Sequence, residues 1–141
     1  MKNFSAPDRC TDLELARVLL VDDDPTSRLT LQTVLQAGGY HVDAAASAAE
    51  AVGKMDEKQY ELVLSDLRME SPQAGLKVIA HARLMEYKPA TAILTTYRNT
   101  YPDQPHPVLI EPQDLPSLLS KVADLISQRA ARIVHRQLRQ A

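Results

Sequence analysis

The chain has 141 residues, 45% hydrophobic and 24% charged, with a net charge of −2. This suits one compact domain with an ordinary core and excludes a wholly disordered segment. No apolar stretch approaches the length of a membrane span, residues 1–17 lack the apolar block of a secretory signal, and a cytoplasmic protein with no membrane partner is expected. Cys10 is the single cysteine, so an internal disulfide and a Cys-based metal site are excluded.

In chain order, residues 1–16 read as a flexible leader, and Arg17 to Asp22 as a first strand. Pro25 suits the first turn of a helix whose apolar face would be Leu29, Leu31, Val34 and Leu35, stopped by Gly38-Gly39. A short strand follows at His41 to Ala45. Ser47-Ala48-Ala49-Glu50 has the spacing of a capping box opening an alanine-rich helix to about Glu57. Glu61 to Asp66 forms a third strand. Gly75 to Tyr87 carries Leu76, Ile79, Ala80 and Leu84 at helical spacing, with Pro89 at its exit. Ala90 to Thr95 reads as a fourth strand.

Pro102, Pro105 and Pro107 leave little room for a regular helix between Thr96 and Pro107, which reads as a loop. Val108 to Ile110 makes a short fifth strand, and Asp114 or Leu115 caps a last helix with Pro116 in its first turn. Its apolar stripe runs from Leu118 to Val134. About 25 residues at about 1.5 Å each give a rod of almost 40 Å, so its end should project from a small domain. Strands alternating with helices imply βαβ crossovers, and so an α/β fold with a parallel sheet covered on both faces.

Two apolar runs carry the chemistry: Val18-Leu19-Leu20-Val21 ends in Asp22-Asp23-Asp24, and Leu62-Val63-Leu64-Ser65 ends in Asp66. Ligands of open α/β sheets gather beyond the carboxyl ends of the strands, so these acids are expected to share a site. Crowded carboxylates must take up protons, accept a cation or bind a metal. A set of hard oxygen ligands favours Mg²⁺.

These residues resemble the receiver domain of two-component response regulators, the CheY-like fold. The resemblance covers about Arg17 to Ser127 and rests on Asp22 and Asp23 after strand one, Asp66 after strand three, and Thr95 after strand four with Tyr97 beyond it. It implies a doubly wound, five-stranded parallel sheet of the flavodoxin-like class. It also implies phosphoryl transfer from a histidine kinase or phosphotransfer protein to Asp66, with Mg²⁺ as cofactor. Asp23 and Asp66 would ligate the metal directly, Asp22 largely through water, and Arg68 through its backbone carbonyl. Thr95 would hydrogen-bond a phosphoryl oxygen and act as a switch. Such a domain is not an enzyme beyond phosphorylating itself from small donors and dephosphorylating itself.

Three departures accompany the matches. Glu111 stands before Pro112 where the family pattern has a lysine that pairs with the phosphoryl group. At about 4 Å and an effective dielectric near 20, reversing such a contact changes several kcal/mol. Arg68 and Arg98 are the cations that would compensate. The segment after Asp66 lacks the family's proline after Met69 and is longer before Gly75. Between Thr95 and Glu111 the chain is shorter than usual, so the helix between strands four and five is shortened or lost, and Val108 stands at the aromatic switch position.

Two readings follow from the resemblance: a phosphorylatable single-domain receiver, and a pseudo-receiver that binds partners without phosphorylation. A third comes from motif chemistry, because Asp22-Asp23-Asp24-Pro25-Thr26 fits the opening of haloacid-dehalogenase-like phosphatases, with Asp22 as nucleophile and Asp24 as acid/base. That family also has a later lysine and a further acidic pair, and no such paired acids occur after Asp66. Residues 128–141 form a basic extension with Arg129, Arg132, Arg136, Arg139 and His135 beside Ile133, Val134 and Leu138. It is a candidate for homodimerisation or for gripping an acidic partner, while nucleic-acid binding is disfavoured by the lack of a reading motif. His41, His81 and His106 have no metal-ligand spacing. The output protein is not legible.

Overall fold

Val18, Leu19, Leu20 and Val21 are all fully buried, and this continuous burial marks the strand they form as one covered on both faces. In the computed structural model, residues 16–66, 69, 71–94, 108–110 and 115–140 are described, with 108–110, 115 and 140 described by backbone alone. The elements are β1 (Arg17–Val21), α1 (Pro25–Ala37), β2 (His41–Ala45), α2 (Ala48–Glu57), β3 (Leu62–Asp66), α3 (Ala74–Leu84), β4 (Ala90–Leu94), β5 (Val108–Ile110) and α4 (Leu115–Gln140). The strands pair in the order β2-β1-β3-β4-β5, every pair parallel. The doubly wound α/β sheet expected from the sequence is the fold.

The alternation of side chains along each strand divides the core into two layers. Val18 and Leu20 of β1 join Leu62 and Leu64 of β3 on the face covered by α1 and α4, through Leu31, Leu35, Leu118 and Val122. Leu19, Val21 and Val63 face the other way, onto Ala51 and Met55 of α2 and Val78 and Ala82 of α3. Each such Leu, Val or Met contributes about 1.5–3 kcal/mol relative to exposure.

Local signals position the helices. Asp24 caps α1, its side chain accepting from the Ser27 N–H at 3.2 Å with Pro25 next in the helix. Gly39, at φ 102°, turns the chain out of α1 in a conformation that suits glycine. Ser47 Oγ accepts from the Glu50 N–H at 3.1 Å, and Glu50 Oε1 accepts from the Ala46 N–H at 2.8 Å. The expected capping box is present with its return bond one residue earlier than the usual pattern.

Several expectations are corrected. Ala16, placed in the leader by its sequence, is buried in the core and its carbonyl accepts from the His41 N–H at 2.9 Å. Leu29 is exposed, because α1 turns Leu31 and Leu35 to the sheet. β3 begins at Leu62 rather than Glu61, and α3 ends at Leu84 rather than Tyr87. The inward face of α3 is Ala74, Gly75, Val78, Ile79 and Ala82, while Ala80 and Leu84 point outward. After α3 the chain turns through Lys88 at φ 45°, a left-handed conformation that costs a non-glycine residue roughly 1–3 kcal/mol. The expected loop at 96–107 and the lost helix there lie outside the described residues.

Candidate acidic metal site

The register of the two central strands builds the site. Val21 of β1 pairs with Ser65 of β3, so the next residue of each strand, Asp22 and Asp66, leaves the sheet at neighbouring points. One carboxylate oxygen from each of Asp22, Asp23 and Asp66 lies within 4.8 Å of the others. Strand order places this cluster at the switch point, where β1 leads outward to β2 and β3 leads outward to β4, the usual position for ligands in such sheets.

The three acids differ in environment. Asp22 is only 3% exposed. Its Oδ1 accepts from the Asp24 N–H at 3.0 Å, its own N–H donates to the Ala45 carbonyl at 3.0 Å, and its carbonyl accepts from Arg28 Nη1 at 2.8 Å. These contacts hold the turn between β1 and α1. Asp23 is exposed and Asp66 half-buried. Ser65, fully buried beneath them, donates from Oγ to the Asp66 carbonyl at 3.0 Å.

Of the residues singled out in the sequence, Asp22, Asp23 and Asp66 come together. Asp24 is not in that group, and its side chain is spent on the cap of α1. Arg68, Thr95, Arg98 and Glu111 lie outside the described residues, as do Tyr97 and the side chain of Val108. Sequence reading missed Arg28. The signal for it was available: helical side chains lean toward the helix N-terminus, and Arg28 lies in the second turn of a helix that starts beside the acid pair.

The donor set fits a divalent cation. Three carboxylate oxygens at one solvent-open point supply hard ligands and leave room for water and a phosphoryl group, the coordination Mg²⁺ prefers. Like charges at this separation repel, so cation binding relieves an unfavourable arrangement. Among the described residues no helix is long and apolar enough to cross a membrane.

Residues 18–105 match the family described as Response regulator receiver domain. The chain is 33% identical over 109 residues to the transcriptional regulatory protein GlrR of Escherichia coli K12, a stretch covering 77% of this chain and 23% of that protein. It is 38% identical over 56 residues to the sensor protein EvgS of the same strain, covering 40% of this chain and 5% of that one. The chain therefore spans a quarter or less of these curated relatives. Among solved structures it is similar to the response regulator TrrA of Thermotoga maritima in complex with Mg²⁺-BeF, with a TM-score of 0.70, 30% identity, and coverage of 79% of this chain and 99% of that one.

Proposed function

Because the chain belongs to the response regulator receiver domain family of two-component systems, we propose that it accepts a phosphoryl group on Asp66 from a histidine kinase or phosphotransfer protein, with Mg²⁺ at Asp22, Asp23 and Asp66. The observation that carries this reading is the convergence of those three carboxylates at the ends of β1 and β3. The likeness to TrrA, solved with Mg²⁺-BeF, supports it.

In this reading Asp66, half-buried and open to solvent on one side, is the nucleophile. One of its oxygens bonds to phosphorus as the phosphorus–nitrogen bond of the donor phosphohistidine breaks and the imidazole leaves. When bound, Mg²⁺ offsets the charge of the carboxylates and of the incoming phosphoryl oxygens. Asp23 and Asp66 would hold it directly, Asp22 through water, and the Arg68 carbonyl would complete the protein ligands. Asp22 is fixed by its contacts with Asp24, Ala45 and Arg28, so its carboxylate needs little rearrangement on binding. Thr95 would donate to a phosphoryl oxygen. The domain would perform no turnover beyond phosphorylating itself from small donors and its own dephosphorylation.

Glu111 favours the second reading, a phosphorylation-independent binding module, because the family's lysine is absent from that position. Incubation with Mg²⁺ and acetyl phosphate, followed by intact-protein mass spectrometry, separates the two. A phosphoryl mass gain absent from Asp66→Asn establishes the receiver chemistry. No gain under conditions that modify a control receiver selects the binding module.

A further inference from the structure

Helix α4 outruns the domain. Leu118 and Val122 are buried in the core and Leu125 and Ile126 pack against it, but beyond Arg129 nearly every described side chain is exposed, with Val134 at 53% and Leu138 at 70%. Residues 130–140 at about 1.5 Å each carry the helix roughly 16 Å onward. Its circumference is divided there: Arg129, Arg132, Arg136 and Arg139 recur at helical spacing on one arc with Ile133 at its edge, while Val134 and Leu138 lie on another, with no acidic residue after Asp124.

At the same end of the domain, on the other face of the sheet, the C-terminal ends of α2 and α3 enclose a groove of about 470 Å³. Asp56, Glu57 and Glu86 give it negative charge, opposed by Lys58, and Met55, Leu84 and Tyr87 give it apolar wall. Leu84 is 75% exposed there. Two helix C-termini add partial negative charge, so the groove favours cations.

We propose that the arginine-faced end of α4 docks into this groove of a second copy of the chain, each copy giving its helix and receiving the other's. The charges are complementary, Arg132 and Arg136 facing Glu57 and Glu86, and the groove adds the exposed side chain of Leu84. The helix cannot fold back into its own groove. Arg129 fastens it to the turn that borders the groove, donating to the Tyr87 carbonyl at 2.6 Å and to the Lys88 carbonyl at 2.9 Å. No glycine or proline interrupts residues 117–140, so α4 has no hinge at which to reverse. Since groove and helix meet at Tyr87, a two-fold axis beside α4 exchanges them, giving an isologous interface. This inference is independent of phosphorylation.

Sedimentation equilibrium of the 141-residue chain tests it through charge reversal, with circular dichroism confirming that each variant folds. Glu57→Lys with Glu86→Lys reverses the groove, and Arg132→Glu with Arg136→Glu reverses the helix; all four side chains are exposed. The wild type should dimerise, more weakly at high salt, and each double variant should lose at least about tenfold in dimer affinity. An equimolar mixture of the two variants should form a heterodimer, because each helix then meets a groove of opposite charge. A wild type monomeric at every concentration overturns the proposal. So does a groove variant that dimerises normally, or a mixture that stays monomeric. A monomer that instead cosediments with phosphatidylglycerol vesicles would assign the helix to an anionic surface and also overturns it.

Discussion

Arg28 Nη1 donates to the main-chain carbonyl of Asp22 at 2.8 Å, tying α1 to the end of β1 at the acidic cluster. The bond is part-buried, and a charged donor to a carbonyl contributes about 1.5–3 kcal/mol. Its role is to hold the turn that aims Asp22. Arg28→Ala should therefore weaken Mg²⁺ binding by roughly tenfold while leaving the fold intact, as measured by calorimetric titration and circular dichroism. Unchanged affinity would show that the turn is held by the Asp24 and Ala45 contacts alone.

Asp24 is a helix cap, with its side chain on the Ser27 N–H. Asp24→Ala should lower stability by about 1 kcal/mol, read as a shift in the urea midpoint. It should not abolish phosphoryl uptake from acetyl phosphate. Loss of uptake in a folded Asp24→Ala chain would return Asp24 to the chemistry, as the phosphatase reading required.

The strands were legible because parallel strands buried on both faces leave continuous apolar runs. Val18 to Val21 and Leu62 to Leu64 show this pattern, and the acids that end them mark the site. Helix phase was harder. On α3, small residues face the sheet, with Ala74, Gly75 and Ala82 allowing close approach while Leu84 looks outward. Counting large apolar residues by period therefore selects the wrong arc. Leu29 misleads in the same way on α1.

At the site, the sequence supplied the carboxylates and missed what orients them. Asp22, Asp23 and Asp66 stood at strand ends. Arg28 and Ser65 act through main-chain carbonyls; the lean of helical side chains toward the N-terminus pointed to Arg28, but nothing in residue type or spacing pointed to Ser65.

Neutralising Asp23 tests the electrostatics of the cluster. Its side chain is exposed and packs into no core layer, so Asp23→Asn removes charge with little loss of packing. Without Mg²⁺ the variant should be as stable as the wild type or slightly more so, because repulsion with Asp22 and Asp66 is relieved. With Mg²⁺ the order should invert. The wild type should gain about 2.7 kcal/mol at a hundredfold excess over its dissociation constant, and the variant should gain much less. Thermal melts with and without Mg²⁺ would show the crossing, and equal gains would remove Asp23 from the ligand set.

Beneath the edge strand β2, Tyr60 Oη donates to Asp43 Oδ2 at 2.7 Å, with Lys58 Nζ at 3.6 Å and His41 Nε2 at 3.5 Å from the same carboxylate. Burial pushes the Asp43 carboxyl up, but the Tyr60 hydrogen bond and the charges of Lys58, His41 and Lys54 outweigh it and hold it below the usual range. The unfolded chain therefore binds this proton more readily. Asp43 stabilises the fold above the ordinary carboxylate pKa of about 3.9, and that contribution is lost as pH falls through the folded value. Burial first, then the bond to Asp43, raises the Tyr60 phenol. Its contribution is present below the ordinary tyrosine pKa of about 10 and is lost as pH climbs above it. Tyr60→Phe should lower stability near neutrality by about 1.5–3 kcal/mol, since a part-buried bond to a charged acceptor is removed. It should also raise the Asp43 pKa, so that between about pH 2 and 5 the variant's stability falls away at higher pH than the wild type's. Urea midpoints across that range, with carboxyl titration by NMR, would measure both. A parallel pair of acid profiles would show that Lys58 and His41 hold Asp43 without the phenol.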